Sequence, residues 1–68
     1  MAELELTERE REVATLIALG EQTKQIAHAL HISSKTVECH RTNIRHKLGV
    51  LGTAGIVLWA VRHGLVQV

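Results

Sequence analysis

Lys35, Glu38, Cys39 and Thr42 follow one another at intervals of three, one and three residues. At about 100° per residue this spacing gathers them on one side of a helix, between roughly 100° and 200° from Val37. Together they offer a strong donor, a strong acceptor and two small groups that tolerate a methyl. This is equipment for reading a polar surface by contact. Base edges in a DNA major groove present matching partners: guanine O6 and N7 for Lys35, cytosine N4 for Glu38, and the thymine methyl for Cys39 or Thr42. The surrounding charge is uneven. Residues 34–48 hold Lys35, Arg41, Arg45 and Lys47 against Glu38 alone, whereas residues 3–12 hold five glutamates and two arginines.

Other chemistries fit less well. An enzyme needs a nucleophile with an oriented base in a pocket. A chain of 68 residues buries only about 60% of its unfolded surface, which leaves little room for one. His28, His31, Cys39 and His40 lack the second ligand pair of a structural zinc motif. No enzyme activity, metal or cofactor is therefore expected. Cys39 is the only cysteine, which excludes an internal disulfide and suits a reducing, cytoplasmic setting. The longest apolar run, Ile56 to Val61, is far short of a membrane span. Hydrophobic residues make up 46% of the chain, enough for a folded core. Phe and Tyr are absent and Trp59 stands alone, so that core is aliphatic.

The elements that must position these residues are helices. Thr7-x-x-Glu10 is a capping box, and Val13, Leu16, Ile17 and Gly20 follow at helical spacing, giving a first helix at about 8–19. Thr23 is placed to cap a second at 24–30, with Ile26, Ala27 and Leu30 inward. His31-Ile32-Ser33 breaks the chain. Ser33 caps a third helix at 34–48, whose buried stripe is Val37, Ile44 and Leu48, and Gly49 ends it. Gly52 or Thr53 opens a fourth at 53–63, where Gly55 weakens the first turn by roughly 1 kcal/mol relative to Ala. The reading is all-α: one compact four-helix domain over residues 1–68. The second and third helices with their short turn form a helix-turn-helix at 23–48. Ala27 is small where the two helices cross. His31 stands at the turn position that favours glycine, where a left-handed backbone costs a larger residue about 1 kcal/mol.

A longer series of residues carries a resemblance. It comprises Leu6-Thr7-x-Arg9-Glu10-x-Glu12-Val13, Gly20-x-x-Thr23-Lys24-x-Ile26-Ala27 and Ile32-Ser33-x-Lys35-Thr36-Val37. It continues through His40-Arg41-x-Asn43-Ile44-x-x-Lys47-Leu48-Gly49-Val50 to Ala60-Val61-Arg62-His63-Gly64-Leu65. From about residue 4 to 66 the chain resembles the LuxR/FixJ-type, GerE-like DNA-binding domains of bacterial transcription regulators. The resemblance implies that the third helix reads DNA, with Lys35, Glu38, Cys39 and Thr42 at the usual base-reading positions. It implies phosphate contacts by Ser34, Thr36, His40, Arg41, Asn43, Arg45 and Lys47. Thr23 and Lys24 join them on physical grounds, because free amides and the positive dipole end of a helix suit phosphate. It implies a two-fold dimer through the fourth helix, for which Ile56, Val57, Leu58 and Val61 are the candidates. Glu38 departs from the family pattern, which often has a basic or amide residue there, and Leu58 stands where a polar residue is common.

The implied partners are double-stranded DNA, a second copy of the chain and RNA polymerase. In the family a regulatory domain, of response-regulator or quorum-sensing type, usually precedes this one; a stand-alone small regulator is the other arrangement. Two alternatives stand beside this reading. One is a helical protein-interaction or dimerisation module using the apolar fourth helix. The other is a promoter-reading domain of the sigma-factor kind, which shares the four-helix pattern.

Overall fold

The computed structural model describes residues 6–67, so Glu3 and Glu5 of the acidic head lie outside the described residues. The elements are α1 (Glu8–Ala18), α2 (Thr23–Leu30), α3 (Ser34–Leu48) and α4 (Thr53–Arg62), with no strand among the described residues. Local chemistry sets their ends. The Thr7 amide donates to Glu10 Oε1 at 2.9 Å and the Glu10 amide donates to Thr7 Oγ1 at 3.1 Å, the reciprocal capping box read from the sequence. Ser33 Oγ accepts from the Thr36 amide at 3.0 Å and opens α3. Gly49 closes α3 at φ +69°, a left-handed angle that glycine adopts without a Cβ clash. His31 takes the same region at φ 59°, as the turn chemistry predicted.

Two helix ends differ by one residue: α1 stops at Ala18 and α4 at Arg62. Such ends fray. A more telling difference is at α2, where Thr23 is the first helical residue and Gln22 is the cap. The Gln22 amide donates to Gln25 Oε1 at 2.7 Å, so the local turn needs nothing from Thr23. The expected capping role of Thr23 is corrected, because its hydroxyl is drawn across to α3.

The core is aliphatic and draws on every helix: Val13, Ala14 and Ile17 from α1, Ile26 and Ala27 from α2, Val37 and Ile44 from α3, Ile56 and Ala60 from α4, with Leu6 ahead of them. Each fully buried isoleucine contributes about 1.5–3 kcal/mol relative to exposure. Leu16, Leu30 and Leu48, expected among the inward residues, close the rim of this core with Ile32, Val50, Val57 and Trp59. α1 packs on the other three helices, and α2 packs on α3 to make the helix-turn-helix. No buried side-chain nitrogen or oxygen among the described residues lacks a partner.

Gly55 has a stronger reason than propensity. A Cβ there would lie 2.5 Å from Val50 Cβ and 2.7 Å from its Cγ1. The absence of a side chain is what lets the link after α3 lie against the first turn of α4. The expected helix penalty of Gly55 is real but secondary.

Candidate nucleic-acid interface

α3 turns its reading side to solvent. Lys35, Glu38, Cys39 and Thr42 are all exposed, and with Asn43 they line one shallow concavity on the outer surface of the helix. Val37 and Ile44 on the opposite side are fully buried and fix the rotation of α3. The four residues singled out by spacing are thus brought together.

Glu38 is held within that concavity. Thr23 Oγ1 donates to Glu38 Oε2 at 2.6 Å, and Arg41 Nε lies 4.0 Å from Glu38 Oε1. Arg41 also donates from Nη2 to Thr53 Oγ1 at 2.8 Å. Its side chain is only 16% exposed. The stem packs inward and the guanidinium is anchored at the start of α4, so Arg41, expected at a phosphate, is engaged within its own chain. The result is a polar chain, Thr23–Glu38–Arg41–Thr53, that ties the beginnings of α2 and α4 to the outer side of α3.

The other phosphate candidates are distributed around this side. Lys24, Ser34, Thr36 and Asn43 are exposed, while Thr23, His40 and Arg45 are half-buried. Arg45 Nη2 donates to Thr42 Oγ1 at 3.3 Å, and Thr36 Oγ1 lies 2.9 Å from Ser33 Oγ. Neither Lys24 nor Lys35 enters an ion pair among the described residues.

Lys47 faces the other way. Its Nζ donates to Glu10 Oε1 at 2.8 Å, and Glu10 is buried at 5% exposure. Burial by itself raises the pKa of Glu10. The hydrogen bonds from Lys47 and the Thr7 amide, with the charge of Lys47, outweigh that effect and hold the carboxyl below its ordinary 4.5. The sequence reading assigned Glu10 only to the capping box and did not find this pair.

On α4, Ile56 is fully buried in the core of its own chain, which removes it from the candidate dimer surface. Val57 and Val61 are half-buried, and Leu58 is 50% exposed. Leu51, in the link before α4, is fully exposed and was not singled out. Ala54, four residues before Leu58 on α4, is exposed as well. At the far end Trp59 stacks on His63 with ring centroids 4.5 Å apart. No group of three or more His, Cys, Asp or Glu among the described residues is placed to hold a metal. Among the described residues no single helix is long and apolar enough to cross a membrane.

Comparison with known proteins agrees with the four-helix fold. The profile of the family described as "Bacterial regulatory proteins, luxR family" matches residues 4–60. The transcriptional regulatory protein MctR of Rhizobium johnstonii is 48% identical over 62 residues, which are 91% of this chain and 29% of MctR. The chain therefore spans less than a third of that relative. The transcription factor GerE matches with a TM-score of 0.81 and 41% identity over 97% of both chains. VqmA of Vibrio cholerae is also similar. Its dimer in the absence of target DNA matches with a TM-score of 0.83 and 37% identity, over 91% of this chain and 28% of that one. Its complex with ligand and DNA matches with a TM-score of 0.83 and 35% identity, over 100% of this chain and 30% of that one.

Proposed function

The chain belongs to the luxR family of bacterial regulatory proteins and is a helix-turn-helix DNA-binding domain of that kind, and we propose that it reads a specific duplex sequence by laying α3 in the major groove. The observation that carries this reading is the convergence of Lys35, Glu38, Cys39 and Thr42 on one exposed concavity, on the far side of α3 from the fully buried Val37 and Ile44. The N-terminal part of a recognition helix contacts base edges in this geometry, and these residues occupy it. Lys35 donates to guanine, Glu38 accepts from cytosine N4, and Cys39 and Thr42 meet thymine methyls. Lys24, Ser34, Thr36, His40, Asn43 and Arg45 flank that side and hold phosphates. The amides that open α2 do the same. Arg41 and Lys47 contribute chiefly through their partners, Thr53 and Glu10.

The domain acts as a two-fold dimer through the outer side of α4, where Leu58 with Val57 and Val61 supplies apolar surface and Ile56 does not. Two recognition helices then enter successive major grooves about one helical turn apart. The second half-site binds at raised effective concentration, so affinity gains without new contacts. Within a polypeptide of MctR's length, this unit is the DNA-reading part and the remainder supplies control, in the cytoplasm, with RNA polymerase as the downstream partner.

Selection from a random duplex library tests this, followed by titration of the winner and a scrambled duplex at several salt concentrations. A two-fold-symmetric winner bound far more tightly than the scramble is expected, with a salt slope of about 0.9 per phosphate contact. Enrichment of no sequence, with weak salt-sensitive binding to every duplex, would overturn the reading.

A further inference from the structure

From the contact between α2 and α3, we infer that Thr23 is a specificity-determining residue that acts through Glu38: its hydroxyl sets the carboxylate that reads cytosine. The inference rests on the reading of α3 as the base-reading helix.

Glu38 is an awkward residue on a surface meant for DNA. Its charge repels phosphates, and its flexible side chain is 57% exposed. A base reader works only if its geometry is fixed before the base arrives. Here the fixing group comes from another helix. Thr23 Oγ1 lies 2.6 Å from Glu38 Oε2, a short charge-assisted bond between residues 15 apart in sequence. Arg41 stands beside the other oxygen and is itself tethered to Thr53, so the carboxylate has a defined surrounding on both sides. A carboxylate offers about four acceptor sites, which leaves room for a base amino group.

The same bond decides what Thr23 does not do. A hydroxyl has one proton to give. If it is donated to Glu38, it cannot also be donated to a phosphate oxygen, which is an acceptor only. The Thr23 amide, at the open end of α2, stays available to phosphate whatever the side chain does. Hydroxyl and amide therefore have separable roles, and the hydroxyl's role is to orient the base reader.

The test uses the whole chain as the parent with Thr23→Val, Thr23→Ser, Glu38→Ala and the Thr23→Val/Glu38→Ala double variant. Each goes through duplex selection and then competition titration at several salt concentrations, with helical circular dichroism confirming that all are folded. For Thr23→Val the preference for cytosine at one position of each half-site is expected to fall by about tenfold. Its salt slope should stay that of the parent. Thr23→Ser, which keeps the hydroxyl, should retain the preference. In the Glu38→Ala background Thr23→Val should add nothing. A uniform loss of affinity over all duplexes, with the slope reduced by about 0.9, would make the hydroxyl a phosphate contact and overturn the inference. So would a Thr23→Val selection indistinguishable from the parent's. No enriched sequence for the parent itself would overturn the base-reading function and this inference together.

Discussion

On its inner side α3 gives Lys47 to Glu10 of α1; on its outer side Glu38 takes Thr23 of α2 and lies beside Arg41. The contacts are similar in length, 2.8 Å for the first and 2.6 Å for the Thr23 bond. Their surroundings are not. Glu10 is 5% exposed, whereas the Glu38 side chain is 57% exposed. A carboxylate removed from water must be paired and hydrogen-bonded, and losing its partner is costly. A carboxylate in water is screened, and its pairs are worth little to stability. The inner pair is therefore a strut between helices. The outer pair leaves acceptor capacity facing solvent, where a base can join it. Burial, more than residue type, separates the acid that holds the fold from the acid we propose as a base reader.

Removing the strut should give the largest effect. Breaking a buried pair by deleting one partner typically costs about 3–5 kcal/mol. Lys47 retains 28% side-chain exposure, so water relieves part of this. Lys47→Met is expected to lower unfolding free energy by about 2 kcal/mol in urea titration, with the salt slope of DNA binding unchanged. A loss under about 0.5 kcal/mol would put this pair in the surface class and break the comparison. Acid supplies a second check. Glu10 has its carboxyl lowered in the folded state, so below its ordinary 4.5 the unfolded chain binds the proton more readily. The stability contributed by the pair is present above that value and is lost as pH falls through the lowered one. Lys47→Met removes much of what lowers it, so the drop in urea midpoint on acidification should be smaller in that variant.

What was legible in the sequence shares one property: it depends on neighbours along the chain. The Thr7–Glu10 box, the Ser33 cap, the left-handed His31 and the solvent-facing set of Lys35, Glu38, Cys39 and Thr42 all follow from short spacings. The contacts that were missed join distant residues: Glu10 to Lys47, Thr23 to Glu38, Arg41 to Thr53. Those depend on where helices cross, which no local pattern states. A faint signal existed for Lys47, which falls about 280° from Val37, beside the buried stripe. A lysine there needs a partner, but Glu10 already had a role as a cap and raised no question. Ile56 was misplaced for a different reason. It begins an unbroken apolar run, and a run without polar breaks does not say which side faces inward.

Gly55→Ala probes the outer side through its backbone. Propensity alone predicts a gain of about 1 kcal/mol. The Val50 Cβ at 2.5 Å cannot rotate away, so the link must move and with it the turn that carries Thr53. A loss of about 1–3 kcal/mol in unfolding free energy is expected; a gain would show that the close approach is not required. His31→Gly should go the other way and raise stability by about 1 kcal/mol, because glycine takes φ 59° without a Cβ penalty. It touches neither Thr23 nor Glu38, so base preference should persist while the melting temperature rises. A lower melting temperature would refute it.

Glu38→Gln is the sharpest test because stability should barely register it. The glutamine carbonyl can still accept the Thr23 hydroxyl, and only the charge beside Arg41 is lost. Unfolding free energy should stay within about 0.5 kcal/mol of the parent, as expected for an exposed pair. Recognition should change much more. An amide both donates and accepts, and adenine presents an N6 donor and an N7 acceptor to the major groove. The selected base at the Glu38 position should therefore move from cytosine to adenine. A stability loss of the size expected for Lys47→Met, with the selected sequence unchanged, would make the outer acid a strut like the inner one. The distinction drawn from burial would then fail where it matters most, at the surface proposed to read DNA.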